Sequence, residues 1–175
     1  RALPDGPSTH LSVGDSVRLS APPDFAPDDS WIGRVVDPLG RPVDGMPLSR
    51  GLLARTIDAG PPPAATRRPL GARLNTGQCV FNTLLPIVRG QRIGLFAGSG
   101  VGKSQLVAAF ARQLEADVVV IALIGERGRE VGHFVRDVLG PEGMARSVVV
   151  AASSDQSPLM RRRCALSAMA VAEHF

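Results

Sequence analysis

Apolar and polar positions change rhythm along this chain, and the changes divide it into three stretches. Residues 11–19, LSVGDSVRL, and 31–37, WIGRVVD, are short runs of strand-forming residues set among turn formers, with Pro22, Pro23 and Pro27 blocking regular structure between them. They predict that residues 1–37 are the end of a small β domain. From Pro38 to Asn75 the apolar rhythm gives way to Pro, Gly and Arg, as in PLGRP and GPPP, which predicts an ordered connector with little helix or strand over 38–75.

Over residues 76–175 strands and helices are predicted to alternate. Arg92–Phe96 is a short apolar strand, followed by a Gly-rich turn and by Lys103–Glu115, where Leu106, Val107, Phe110 and Leu114 recur at helical spacing. Val118–Ile124 is apolar without alternation, the pattern of a strand covered on both faces. The next helix, Glu130–Leu139, carries Val131, Phe134, Val135 and Val138 on one stripe and is expected to stop at Gly140 and Pro141. Ser147–Ala152 is another buried strand. Ser157 then caps a helix that opens at Pro158 and is expected to run to Phe175. This order predicts an α/β fold: a parallel sheet joined by right-handed crossovers, with helices on both faces.

Composition adds little to the fold and more to the chemistry. At 44% hydrophobic and 21% charged, the 175 residues have the balance of an ordinary globular protein. No apolar run approaches the roughly 18 to 20 residues of a membrane helix, and Arg1–His10 lacks the pattern of a secretion signal. Cys79 and Cys164 are far apart and near no metal ligands, so both are expected to be free buried thiols in a reducing compartment, the cytoplasm. His10, His133 and His174 show no metal spacing. The run Arg161–Arg163 has no interleaved aromatic residues, so a solvated face is expected there rather than a nucleic-acid patch. Of the 20 basic residues only Lys103 is lysine. A site that keeps an ammonium in so arginine-rich a chain needs the compact point charge.

That lysine stands in AGSGVGKS, residues 97–104, which departs from the G-x-x-x-x-G-K-[ST] phosphate loop only at Ala97. Gly98, Gly100 and Gly102, with Ser99 and Val101 between them, allow successive N–H groups to turn inward, and the helix opening at Lys103 adds its positive dipole end. The expected guest is a nucleoside triphosphate, ATP, with Mg2+. Lys103 reaches the β and γ phosphates, and the Ser104 hydroxyl takes one position on the metal.

Ligands of parallel sheets sit beyond the carboxyl ends of the strands, and Val118–Ile124 is followed there by Gly125 and Glu126. Glu126 is expected either to polarise the water that attacks the γ phosphate or to hold magnesium through water. Of Arg127 and Arg129, one is expected to neutralise phosphate charge while the other pairs with Glu130. Asp155 follows a strand but is separated from it by two serines, so it is expected to be a loop residue or helix cap.

Taken together, IGRVVDPLGRPVDG, LPIVRGQRIGLFAGSGVGKS, ADVVVIALIGERGREV and LGPEGMARSVVVAASSDQSPLMRRR cover nearly the whole chain. They resemble the ATPases of the bacterial flagellar export apparatus and their type III secretion relatives, a branch of the rotary ATP synthase family. The loop AGSGVGKS is similar to the export branch rather than to the synthase catalytic subunit, whose loop reads GGAGVGKT. SDQSPLMRRRCALSAMAVAEHF tilts the resemblance to the flagellar members over those of the injectisome. The resemblance implies a P-loop NTPase (RecA-like) domain preceded by part of a small β-barrel. It implies that Lys103 and Ser104 serve ATP and Mg2+, that Glu126 activates water, and that Arg127 lies beside the phosphates.

The same resemblance implies a homo-hexamer peripheral to the inner membrane. Its implied partners are a stator-like regulator, a central stalk protein, export substrates and chaperones, with no nucleic acid. It implies too that this chain is a fragment, without the magnesium-positioning aspartate, the arginine finger and the adenine pocket, so that the isolated chain binds nucleotide weakly and hydrolyses almost none. Where the family has a basic and an acidic residue, TGQCVFNTLLP offers Gln78, Cys79 and Asn82. Two other roles are consistent with the same loop: a ring subunit that binds ATP without cleaving it, and a nucleic-acid translocase.

Overall fold

The computed structural model describes residues 12–16, 18, 24–98 and 100–175. The expected strand 11–19 therefore lies largely outside the described residues, and its described part, 12–16, forms a turn in which the Asp15 N–H donates to the Ser12 carbonyl. Three strands make one parallel sheet in the order β1-β3-β2: β1 (Val35–Val36), β2 (Val119–Ile124) and β3 (Ser147–Ala152). The helices are α1 (Cys79–Thr83), α2 (Lys103–Gln113), α3 (Gly128–His133), α4 (Gly140–Met144) and α5 (Pro158–Ala172).

Side chains on the central strand β3 alternate between two cores, as the period of two requires. Val148, Val150 and Ala152 meet Cys164, Ala168 and Val171 of α5 on one face. Val149 meets Ala108 and Ala111 of α2 and Phe134 and Leu139 on the other. All six residues of β3 are buried, which explains their unbroken apolar run. Helices therefore cover both faces, as the alternation of elements predicts.

Four sequence expectations are corrected. Residues 31–37 are not one strand. A short 3-10 turn, Asp29–Trp31, precedes the two-residue β1, and β1 pairs in parallel with β3. What anchors this segment is Trp31, buried edge-to-face on Phe25 with its indole N–H donating to the Ser49 carbonyl at 2.7 Å. Only glycine fits beneath the ring, because a Cβ on Gly40 would lie 2.9 Å from it.

Arg92–Phe96 forms no strand, and Phe96 is 95% exposed. An apolar run becomes a strand only where a neighbour takes its hydrogen bonds, and no described strand lies beside it. Third, the helical stripe after Glu126 starts earlier, at Gly128, although it ends at Leu139 before Gly140 as expected. A π-helical stretch, Phe134–Leu139, joins α3 to α4, and Gly140 at φ 67° turns the chain so that Pro141 falls at the start of α4, where it lacks no needed N–H. Finally, β2 is only partly covered: Ile121 is buried, whereas Ala122 and Ile124 are exposed. Beyond these, α2 and α5 end at Gln113 and Ala172, short of Glu115 and Phe175.

The connector is ordered by polar contacts rather than by regular structure. Arg34 pairs with Asp44 at 2.6 Å and donates to the Met46 and Pro47 carbonyls, which raises its own pKa and lowers that of Asp44 through their mutual hydrogen bond. The Pro38 carbonyl accepts from both Arg163 and Ser167 of α5, fixing the connector to the sheet's outer helix.

Candidate nucleotide site

The phosphate loop ends on α2. Its cap, Gly102, sits at φ 90°, and Gly100 at φ 77°, a left-handed conformation that favours glycine at both positions. No side chain caps the helix, and its first turn holds no acidic residue. The first amides of α2 are thus left for an anionic ligand, with Lys103 and Ser104 exposed beside them. Ala97, Gly98 and Val101 are exposed as well, and Ser99 lies outside the described residues. These features fit a bound Mg·ATP: open main-chain donors, one ammonium, one hydroxyl, and no carboxylate competing for the helix dipole.

Topology brings Glu126 to the same side. The Leu114 carbonyl, just after α2, accepts from Arg146, whose own carbonyl accepts from the Val119 N–H. The end of α2 and the starts of β2 and β3 therefore share the amino edge of the sheet. Folded back over the strands, an 11-residue helix rises about 16 Å against about 20 Å for a six-residue strand. Its first turn is returned toward the carboxyl edge, where Gly125 and Glu126 follow β2. No ion pair or hydrogen bond joins Glu126 to Lys103 or Ser104 in the structure.

Glu126 itself is exposed, but its backbone is held. The Gly125 N–H donates to the Ala152 carbonyl at 2.7 Å, and the Ser154 N–H donates to the Glu126 carbonyl at 2.9 Å. Gly125 makes this turn at φ 77°. Arg127 lies 3.7 Å from Glu130, both substantially exposed, an ion pair of little energetic weight that leaves Arg127 able to change partner. Asp155 is an exposed loop residue whose carboxyl is held below its usual range, first by a hydrogen bond from Ser153. The helix cap is Ser157, which accepts from the Met160 N–H.

A cleft of about 740 Å3, lined by Leu114, Asp117, Arg146 and Phe175 at the amino edge, holds none of the site residues.

Sequence reasoning missed two contributors. The Ser154 amide is a main-chain group, to which no side-chain pattern points. Arg161 was grouped with a solvated run, yet the three arginines diverge: Arg162 is exposed, Arg163 bonds the Pro38 carbonyl, and Arg161 lies against Gly125. The signal was available, since Arg161 precedes the buried Cys164 and Ala168 by three and seven positions on one helical stripe.

The matched family model is the nucleotide-binding domain of the ATP synthase alpha/beta family, over residues 77–175. The chain belongs to that family. It is 43% identical over 98% of its length to the flagellum-specific ATP synthase of Agrobacterium fabrum, and 49% identical over 94% to that of Bacillus subtilis. It spans 36% of the length of each of these curated relatives. Among solved structures, a prototypical ATPase from the type III secretion system of pathogenic bacteria superposes with a TM-score of 0.78 at 37% identity, covering 87% of this chain and 44% of that one. The assembled ATPase EscN in complex with its central stalk EscO, from enteropathogenic E. coli, gives the same TM-score and identity over 86% of this chain and 37% of its own. Within this family's fold, Gln78 and Asn82 have local structural partners. Gln78 donates to Gln113 at the end of α2, and Asn82 bonds Thr76 and Asn75.

Burial pushes the Cys164 thiol up to about 11, whereas Cys79, expected to be buried, is exposed. At pH 8 a thiol reagent is therefore expected to modify Cys79 within minutes and Cys164 only after unfolding. Mass spectrometry of the native and denatured protein checks this, and rapid native labelling of Cys164 would contradict the packing of α5 on the sheet.

Proposed function

We propose that the chain carries the nucleotide site of a flagellar, type III protein-export ATPase. That protein is a homo-hexameric ring that hydrolyses ATP in the cytoplasm at the inner-membrane export apparatus. The observation that carries the proposal is the uncapped N-terminus of α2, with Lys103 and Ser104 in its first turn, on the side of the sheet to which β2 delivers Glu126. The flagellar reading is supported by the identity to flagellum-specific ATP synthases, and the ring with a central stalk by the likeness to EscN with EscO. A stator-like regulator, chaperones and export substrates are further partners proposed on the same resemblance. Among the described residues no helix is long and apolar enough to cross a membrane.

In this mechanism the main-chain amides after Gly98 and at the start of α2 bind the β and γ phosphates, and Lys103 neutralises them. Ser104 offers its hydroxyl oxygen as a metal ligand. Magnesium, when bound, draws charge from the phosphate oxygens and so eases departure of ADP. Glu126 orients the attacking water and accepts its proton at a carboxylate oxygen. Arg127, released from its weak pair with Glu130, offsets charge on the transferred phosphoryl group. The presence of Glu126 favours a hydrolysing subunit over one that only holds nucleotide.

Titration calorimetry of the whole protein with Mg·ATP is expected to show one saturable site per subunit. Turnover is expected to be indifferent to added RNA and DNA. Absence of any binding heat would sink the proposal, and strong stimulation by nucleic acid would replace export with translocation.

A further inference from the structure

Three arginines follow one another at the start of α5, and Arg161 is the one beside the turn after β2. Its Cδ lies 3.8 Å from the place a Cβ would occupy on Gly125, so its aliphatic stem packs under the turn that precedes Glu126. Its Nε is buried and has no hydrogen-bond partner among the described residues. A buried guanidinium N–H without an acceptor is costly. Arg161, like Arg55 and Arg146, keeps its Nε inside, and it alone of the three does so beside a turn already tied to the loop after β3 by the Gly125-to-Ala152 and Ser154-to-Glu126 hydrogen bonds. That loop leads through the Ser157 cap directly into α5.

We infer that Arg161 is a positioning residue for Glu126. Its stem supports the Gly125–Glu126 turn, and its buried Nε–H is an unused donor that a carbonyl of that turn takes up when the carboxylate swings toward the attacking water. Glu126 is exposed and makes no ion pair among the described residues, so no such pair fixes its direction. Its aim depends on the backbone that carries it, and Arg161 with the Ser154 amide holds that backbone. This inference rests on Glu126 being the group that activates water.

The test is steady-state ATPase kinetics on the whole protein with Arg161→Ala, Arg161→Lys, Arg162→Ala and Glu126→Gln. Misplacing a reacting group by about an ångström costs up to ~10²-fold in rate. Arg161→Ala is therefore expected to lower kcat at least ~10-fold while the KM for ATP stays within roughly twofold. Arg161→Lys, which keeps a long stem and a cationic donor, is expected to recover most of that loss. Arg162→Ala, on the exposed neighbour, is expected to match the unaltered protein.

Wild-type kcat in Arg161→Ala, with Glu126→Gln inactive, overturns the positioning role and leaves the proposed function standing. An active Glu126→Gln overturns the proposed function itself. A lowered Tm in Arg161→Ala, with kcat and KM changing together and no recovery in Arg161→Lys, marks a purely structural side chain and also overturns the inference.

Discussion

Replacing Lys103 by alanine is expected to abolish measurable ATP turnover and to weaken Mg·ATP binding by at least ~10²-fold, the effect of losing charge-assisted hydrogen bonds worth about 2–3 kcal/mol. The reason lies in the chain's composition as much as in the loop. Lys103 is its single lysine among 20 basic residues, and the other nineteen carry a planar head on a longer arm. No acidic side chain occupies the first turn of α2, so none there competes with an anionic ligand for Lys103. Lys103→Arg separates charge from shape: it keeps the positive head and is still expected to lose most activity, because a planar fork on a longer arm does not replace a compact ammonium between two phosphates. Calorimetry with Mg·ATP and a phosphate-release assay read both effects. Full activity in Lys103→Ala would place the phosphate site elsewhere in the molecule.

Glu126→Gln is expected to give the opposite pattern. The amide has the size of the carboxylate and leaves the Gly125 and Ser154 backbone bonds untouched, so nucleotide binding is expected to persist within a few-fold of the unaltered protein. What is lost is the proton acceptor, and turnover is expected to fall by at least ~10²-fold, the usual size of a general-base contribution. The two variants together divide the site by role: one loses binding and turnover, the other turnover alone. Unchanged turnover in Glu126→Gln would favour a ring subunit that holds ATP without cleaving it.

The phosphate loop was legible because it is local chemistry. Three glycines, a lysine and a serine at fixed spacing specify a backbone shape and a charge whatever surrounds them, and the structure adds the positive φ values at Gly100 and Gly102. Ser147–Ala152 was legible for a related reason, since a strand buried on both faces has to be apolar at every position. The three consecutive arginines were not legible as a group. Helical rotation of about 100° per residue sends neighbours to different surroundings, and only the packing of α5 shows which one lies over Gly125. Arg92–Phe96 marks the other limit. Its apolar pattern is a demand for a neighbouring strand, and a pattern cannot provide that neighbour.

By itself the sequence determined the order α2, β2, β3, α5, the phosphate-loop pattern, and the carboxylate that follows β2, all of them consequences of short-range spacing and side-chain type. Tertiary structure alone decided that Val35 and Val36 join β3, that the Ser154 amide ties down Glu126, and that Arg161 lies under the Gly125–Glu126 turn. Those contacts join residues far apart in the chain or involve main-chain groups every residue shares, so they acquire meaning only when the sheet has chosen its order.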